Sequence, residues 1–148
     1  MIEPTEQQIR TVIANMSAKD AANLLMANYH ESTDDYIRWL HSERAVFKRC
    51  IEGAAVIGYK ETSPGVVTVF AITAPKFKDH IIEVTKYVKG VLFPGIFSSG
   101  YHRIQAIFAA EDDAMARWVE KSLGSTDLAL LNGFAKDGRD MVMYSWLK

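Results

Sequence analysis

Lys78, Asp79 and His80 are the residues whose types and spacing point most directly to chemistry. They follow the apolar run that ends at Pro75, and they open a run with the apolar spacing of a helix. The first amides of a helix and a nearby lysine favour an anion, whereas an aspartate opposes one. Because this stretch has no glycine, two interpretations stay open. It is either an anion-binding loop or a strand-to-helix turn in which Asp79 only complements the helix dipole.

Two further side chains are candidates for proton transfer. Glu111 follows a predicted strand and can act as a general base, but an acid in this position is more often a helix-terminus residue, here an equal partner of Asp112 and Asp113. Tyr144 can donate a proton, although a tyrosine on a strand is more often a half-buried aromatic packed in the sheet. Both residues therefore enter the analysis as candidate catalytic residues with a structural alternative.

Metal and thiol chemistry find little support in the sequence. The four histidines show no spacing typical of a metal site. The single cysteine, Cys50, lies in a predicted strand, where such a side chain packs more often than it reacts. One cysteine forms no intramolecular disulfide, which fits a reducing compartment. We therefore expect a cytoplasmic protein without a metal site.

Length and charge restrict the class of protein further. A chain of 148 residues with 49% hydrophobic and 24% charged residues is expected to fold as one domain over 1–148. A formal net charge of −1 argues against nucleic acid as the main partner. A nucleic-acid binder would need a basic face built from Lys48, Arg49, Lys76, Lys78 and Lys86. No run approaches the roughly 20 apolar residues of a membrane span, so we expect a soluble protein.

The pattern of apolar and turn residues predicts ten elements. Helices are predicted over 17–30 and 32–43, with Ser17 and Ser32 as N-caps. The elements that follow are strands over 44–52, 54–60 and 66–73, a helix over 78–92, a strand over 102–110, a helix over 111–124, and strands over 127–135 and 139–147. Segment 92–101 is predicted as a loop. A strand–helix–strand crossover implies one parallel pair in an otherwise antiparallel sheet.

This order of elements resembles that of the GNAT acyltransferases (GCN5-related N-acetyltransferases) along nearly the whole chain. ITAPKFK resembles the family's V-x-P-x-y-R segment, AIFAAEDDAMARWVEKSLG its second strand-to-helix unit, and NGFAKDGRDMVMYSW its terminal hairpin. Small GNAT-like proteins of T7-type bacteriophages are similar in their compact form and loop. The implied fold is α/β (α+β), a mixed, mostly antiparallel sheet of six to seven strands flanked by about four helices.

The resemblance also implies a reaction, in which an acetyl group passes from acetyl-CoA to an amine of a protein or a small molecule. Catalysis of this kind is mostly positioning of the two reactants. The implied cofactor-binding residues are the backbone of Ile72, Thr73 and Ala74 and, near the phosphates, Lys78, Asp79 and His80. Glu111 and Tyr144 are the candidate catalytic residues.

The sequence departs from the family pattern at four positions, one of which is Glu111, where the family usually has an asparagine. The two family glycines would fall at Ile81 and Glu83, and the tyrosine that often protonates the departing thiolate aligns with Trp118. An alternative function therefore stays open, that of a catalytically inactive GNAT-fold binding protein, phage-encoded and acting on a host target or packaged in a virion.

One apolar cluster is a candidate contact surface. Segment 90–101 carries Leu92, Phe93, Ile96 and Phe97 around a proline. These side chains can form an interface with a protein partner or a homodimer, line an acyl pocket, or simply pack over the sheet.

Overall fold

A six-stranded sheet is the centre of the computed structural model, which describes residues 3–18, 20–21 and 32–148. The strands are β1 (Val46–Ile51), β2 (Ala55–Ser63), β3 (Val66–Thr73), β4 (Arg103–Ala109), β5 (Asp127–Leu131) and β6 (Met141–Leu147). Their order across the sheet is β1-β2-β3-β4-β6-β5. Only β3 and β4 pair in parallel, and the other pairs are antiparallel. The predicted mixed, mostly antiparallel sheet is confirmed.

Helical segments lie on both faces of this sheet. They are α1 (Glu6–Asn15), α2 (Thr33–Ser42), a 3-10 helix (Pro75–His80), α3 (Ile81–Tyr87), α4 (Phe93–Ser98) and α5 (Asp113–Arg117). Turns of π-helix over Val88–Leu92 and Trp118–Ser122 continue α3 and α5. The predicted helix over 32–43 corresponds to α2. The predicted helix over 17–30 lies mostly outside the described residues, and α1 precedes it without having been predicted.

The first two helices cover one face of the sheet. Thr5 and Gln8 form a capping box that starts α1, and the Ser32 hydroxyl accepts a hydrogen bond from the Asp35 amide at the start of α2. The apolar stripes of the two helices are fully buried against β2 and β3. The members of this core with the least exposure are Ile9, Val12, Tyr36, Ile37, Leu40, Val56 and Ile72.

The crossover helices and α5 cover the opposite face. Val84, Val88 and Val119 project from them onto Val67 and Ile104, and all five side chains are at most 4% exposed. β3 is therefore held between two separate cores, whereas β4 contributes only to the core on this second face. Burial of apolar side chains on both faces fixes β3 in place, and burial on one face fixes β4.

The prediction of a loop over 92–101 was wrong, because α4 occupies most of that segment. A proline inside a helix has no amide to donate and normally ends it. Here the backbone shifts to π-helical spacing just before Pro94, so that the Phe93 amide donates to the Val88 carbonyl. Phe93 and Ile96 are 8% and 2% exposed, which means that the apolar cluster packs over the sheet.

The terminal hairpin is present but has a longer connection than predicted. β5 and β6 pair antiparallel, and β5 ends at Leu131. The connection folds on itself, since the Gly133 amide donates to the Asp140 carboxylate and the Ala135 amide donates to the Arg139 carbonyl. A two-residue turn at Asp137 is thus replaced by an ordered loop over 132–140.

Gly58, in the middle of β2, permits close contact between three strands. It pairs with Phe47 of β1 and Phe70 of β3. A Cβ atom at this position would come within 3.0 Å of the Val46 carbonyl oxygen and of the Phe70 ring. The strand backbone and the ring leave no space for a side chain.

We predict that Gly58→Ala lowers the free energy of unfolding by about 1–3 kcal/mol, because the added methyl group overpacks the sheet. Gly90→Ala is the matched control, since nothing lies within 4 Å of a Cβ atom there. The control should leave stability unchanged or raise it by up to about 1 kcal/mol. Urea unfolding of the three proteins measures both effects, and equal midpoints for Gly58→Ala and the wild type would contradict the packing described here.

Candidate functional site

A gap opens in the middle of the sheet between β3 and β4. These strands pair only at Val66–Thr68 with Arg103–Gln105. Beyond that point β3 stays paired with β2 as far as Thr73, and β4 stays paired with β6 as far as Ala109. The two strands therefore diverge, and we call the gap between 69–73 and 106–109 the slot.

Backbone groups of β3 face the slot without a partner strand. The Gly65 carbonyl accepts hydrogen bonds from the His102 and Arg103 amides, whereas the Ala74 amide donates away from β4, to the Ala54 carbonyl. Because alternate residues of a strand direct their backbone groups to opposite sides, those of Ala71 and Thr73 point into the slot. An unpaired strand edge is a set of hydrogen-bonding groups that a ligand can use.

Among the predicted backbone contacts, only Thr73 has its backbone directed into the slot. Ile72 pairs with Val56 of β2, and the Ala74 amide is already bonded to Ala54. Ala71, which lines the cleft described next, was missed. Strand alternation shows which residues share an edge, but the sequence carries no signal for the point at which β4 leaves that edge.

A cleft of about 360 Å³ passes through the slot and reaches both faces of the sheet. On the face of α3 and α5 its walls include Val88, Leu92 and Trp118, and on the face of α2 they include Trp39 and Phe70. The lining is predominantly apolar, as is usual for small-molecule sites, and the volume lies near the lower end of their range of roughly 300–1,000 Å³.

A polar row crosses the sheet where the slot begins. Lys60 of β2 pairs with Thr68 of β3, which pairs with Gln105 of β4, so the three side chains lie side by side on the face of α2. The Gln105 amide donates to the Thr68 hydroxyl at 3.1 Å, and the hydroxyls of Thr68 and Thr62 are 2.5 Å apart. All four residues line the cleft. None of them was identified from the sequence, because the row exists only in this strand register.

A 3-10 helix replaces the expected loop after β3. Pro75 is its first residue, and the Phe77 amide donates to the Ala74 carbonyl. Lys78 and Asp79 are exposed, and neither side chain forms a hydrogen bond or an ion pair with the described residues. No side chain caps the start of α3, so Asp79 is not a hydrogen-bonding cap.

An ion pair neutralises the carboxylate that stands where the family has a glycine. The Arg49 guanidinium lies 2.6 Å from the Glu83 carboxylate and stacks at 5.1 Å over the Tyr87 ring. The hydrogen bond from Arg49, with a smaller effect of His80 at 3.5 Å, lowers the pKa of Glu83. Glu83 is therefore a weaker obstacle to an anion at this helix start than its charge alone implies.

Glu111 lies outside the cleft. Its carboxylate is exposed and 3.4 Å from the guanidinium of Arg139, which also binds Asp137 at 2.6 Å. The neighbouring Asp112 is the N-cap of α5 and accepts a hydrogen bond from the Met115 amide. The structure thus places Glu111 in a surface ion pair beside a helix start.

Tyr144 is buried at the side of β6 that carries α5. Its hydroxyl donates to the Glu120 carboxylate at 2.5 Å, and its ring stacks on Phe108 at 5.4 Å. The hydrogen bond to Glu120, helped by burial, raises the pKa of Tyr144 to about 12. Trp118, the residue aligned with the family tyrosine, donates its indole N–H to the Thr85 hydroxyl. Neither side chain has a free proton donor directed at the slot.

Cys50 is partly buried against the α1–α2 core, and burial raises the pKa of its thiol. A protonated thiol is a poor nucleophile. In the part of the chain that the structure describes, no three acidic, histidine or cysteine side chains cluster in a way that could hold a metal ion. No helix in that part is long and apolar enough to cross a membrane.

Comparison with known proteins identifies the architecture. No protein-family model and no curated protein matches the chain. Solved structures do match it, and a GCN5-related N-acetyltransferase from Brucella melitensis superposes with a TM-score of 0.67 at 16% identity, over 97% of this chain and 72% of that one. The chain has the GNAT fold.

Two further GNAT-fold structures match over almost their whole length. A ribosomal-protein-alanine N-acetyltransferase from Brucella melitensis has a TM-score of 0.67 at 16% identity, over 99% of this chain and 98% of that one. The protein yncA from Salmonella typhimurium, solved with its cofactor acetyl-CoA, has the same TM-score and identity, over 99% and 91% of the two chains. The match therefore extends over the complete sheet and both helical layers.

We predict that Tyr144 ionises near pH 12 and that Glu120→Gln moves this ionisation to lower pH. The folded state holds the phenol proton more tightly than the unfolded state does. The contribution of the Tyr144–Glu120 hydrogen bond to the free energy of unfolding is therefore fully present below about pH 10, and it declines as the pH rises toward 12. Ultraviolet difference titration of the wild type against Tyr144→Phe isolates this tyrosine. An unchanged midpoint in Glu120→Gln would show that Glu120 is not the cause.

Proposed function

We propose that this GNAT-fold protein binds acetyl-CoA and transfers the acetyl group to an amine of a protein or a small molecule. The observation that carries the proposal is the slot, where β3 and β4 diverge and leave a cleft that reaches both faces of the sheet. A cleft of this form allows an acyl donor to enter from one face and an acceptor from the other.

The residues present fit the two ends of acetyl-CoA to different degrees. The slot offers the backbone of Ala71 and Thr73 and an apolar lining, which suit an extended amide-containing arm. The phosphate end has the exposed Lys78 and the start of a helical segment, but no glycine. We therefore expect the slot to contribute most of the affinity, and Lys78 to contribute a smaller electrostatic share, with Asp79 and His80 adjacent to it.

Acetyl-CoA supplies an activated thioester, and the protein's part is to bring an amine to it. The C–N bond forms as the C–S bond breaks. The amine loses one proton and the sulfur gains one, so the net products are an N-acetyl amine and a free thiol. Positioning alone contributes a large part of the rate of such reactions.

The catalytic roles of Glu111 and Tyr144 stay predictions. The ion pair with Arg139 must open before Glu111 can accept a proton, and a phenol with a pKa of about 12 is a weak acid at neutral pH. The proposed reaction does not depend on either residue.

Filling the slot should weaken cofactor binding. Ala106→Phe places a ring where Ala106 now lines the cleft, so we predict at least a tenfold loss of acetyl-CoA affinity in isothermal titration calorimetry. Ala129→Phe makes the same change on the exposed edge strand β5 and should bind as the wild type does. Thermal unfolding checks that both variants are folded. Equal affinity of Ala106→Phe and the wild type would place the cofactor elsewhere.

The contribution of Lys78 can be separated from that of the slot. Lys78→Glu should weaken CoA binding about three- to tenfold, because a favourable charge at a helix start is replaced by an unfavourable one. Binding of pantetheine, which has no phosphates, should not change. Lys89→Glu reverses the charge of another exposed lysine in the same crossover and is the control. A loss that is equal for CoA and pantetheine would exclude a phosphate contact.

The alternative proposal is a GNAT-fold binding protein without catalysis, encoded by a T7-type phage and acting on a host target or packaged in a virion. It is favoured by the 3-10 helix and by Ile81 and Glu83 at the positions of the family glycines. Release of thiol from acetyl-CoA in the presence of an acceptor amine would argue against it. Under the first proposal we place the protein in the cytoplasm, under the alternative in the host cytoplasm or the virion, and under both as a single domain over 1–148.

A further inference from the structure

We infer that the acceptor is a small amine that also carries a carboxylate and an apolar side chain, as a hydrophobic amino acid does, and that Lys60 binds the carboxylate. This inference rests on the proposed acetyl transfer and specifies its substrate. It is drawn from the part of the cleft on the face of α2, which is the face opposite the crossover helices.

The walls of this part of the cleft are apolar and largely aromatic. Trp39 from α2, Phe70 from β3 and Ile107 from β4 contribute to them, and Phe134 from the loop after β5 also lines the cleft. Phe134 is 41% exposed. Such walls favour an acceptor with an apolar or aromatic group, because its burial removes apolar surface from water.

The charge inside the cleft is positive. Among the described residues that line it, Lys60 is the only one with a charged side chain, and none carries a carboxylate. The Lys60 ammonium lies 4.0 Å from the centre of the Trp39 ring and takes part in no ion pair with the described residues. A cationic acceptor such as a polyamine or a lysine-rich peptide would meet repulsion here, whereas a carboxylate would be attracted.

Burial adds to this preference. Partial burial of the ammonium lowers the pKa of Lys60, and the charge of Glu43 only partly opposes the shift. A desolvated cation gains more from an anionic ligand than a fully hydrated one does. The carboxylate of the acceptor would supply the missing partner.

The polar row places this cation next to the reaction zone. Lys60, Thr68 and Gln105 are adjacent in register, and Thr68 and Gln105 form the last paired position before the slot opens. The Thr68 hydroxyl accepts from Gln105 and shares one hydrogen bond with the Thr62 hydroxyl, so one of these two hydroxyls keeps a proton to donate. A carboxylate bound to Lys60 can therefore receive a second hydrogen bond from this row.

The size of the cleft favours a small acceptor. Its volume of about 360 Å³ includes the slot itself, which the acyl donor would share. An amino acid with one apolar side chain fits this description better than a folded protein surface does.

The test compares L-phenylalanine with phenethylamine, which has the same amine and ring but no carboxylate. With acetyl-CoA as donor, thiol release and mass spectrometry of the product should show a KM at least about tenfold lower for L-phenylalanine, because a hydrogen bond to a charged group is worth roughly 1.4 kcal/mol or more. Lys60→Met should remove this difference by raising KM for L-phenylalanine alone, and Lys60→Arg should restore most of it.

Lys48→Met is the matched control, since Lys48 also lies over an aromatic ring, that of Tyr59 at 5.8 Å, but does not line the cleft. It should behave as the wild type does. Equal use of both amines, or no effect of Lys60→Met, would overturn the inference while leaving acetyl transfer intact. Failure of the wild type to bind acetyl-CoA in calorimetry would instead overturn the proposed function, and the inference with it.

Discussion

Hydrogen bonding between β3 and β4 stops after three residue pairs, and the candidate site depends on this interruption. Unpaired backbone groups inside a sheet are costly, so two neighbouring strands normally close such a gap. Here each strand is held from its other side, β3 by β2 as far as Thr73 and β4 by β6 as far as Ala109. Apolar cores on both faces fix β3, and the core under the crossover helices also fixes β4. The slot is thus maintained by the surrounding packing, and its edge stays available to a ligand.

The crossover from β3 to β4 shows how this fold tolerates an unusual sequence. It begins as a 3-10 helix at Pro75, continues as α3, passes through a π-helical turn and ends as α4. The turn lets the helix continue through Pro94, and it keeps Leu92 and Phe93 in the core. The Arg49–Glu83 ion pair joins the start of α3 to β1. A 3-10 helix therefore stands where the family pattern has a glycine-rich loop. For this reason we expect the slot to contribute more to the binding of acetyl-CoA than the site for its phosphates does.

Much of the fold could be predicted from the sequence, because strand alternation, helix caps and turn residues act locally. Ser32 is the N-cap of the helix that it was predicted to start, and Asp112 caps the helix at whose start it was expected. Gly65, with φ of 81°, lies in the turn between β2 and β3, where a positive φ favours glycine. The helical character of 92–101 was missed, since Pro94 and Gly95 are ordinarily helix breakers. The slot could not be predicted, because its residues have the same pattern as paired strands. The row of Lys60, Thr68 and Gln105 also depends on strand register, which no local pattern specifies.

Mapping of backbone amide chemical shifts during titration with acetyl-CoA tests most directly whether the slot is the binding site. The account predicts saturable changes at Ala71, Thr73 and Ile107, which border the slot, and none along β5 at the far edge of the sheet. An absence of changes at millimolar acetyl-CoA, or changes confined to residues away from the slot, would contradict it.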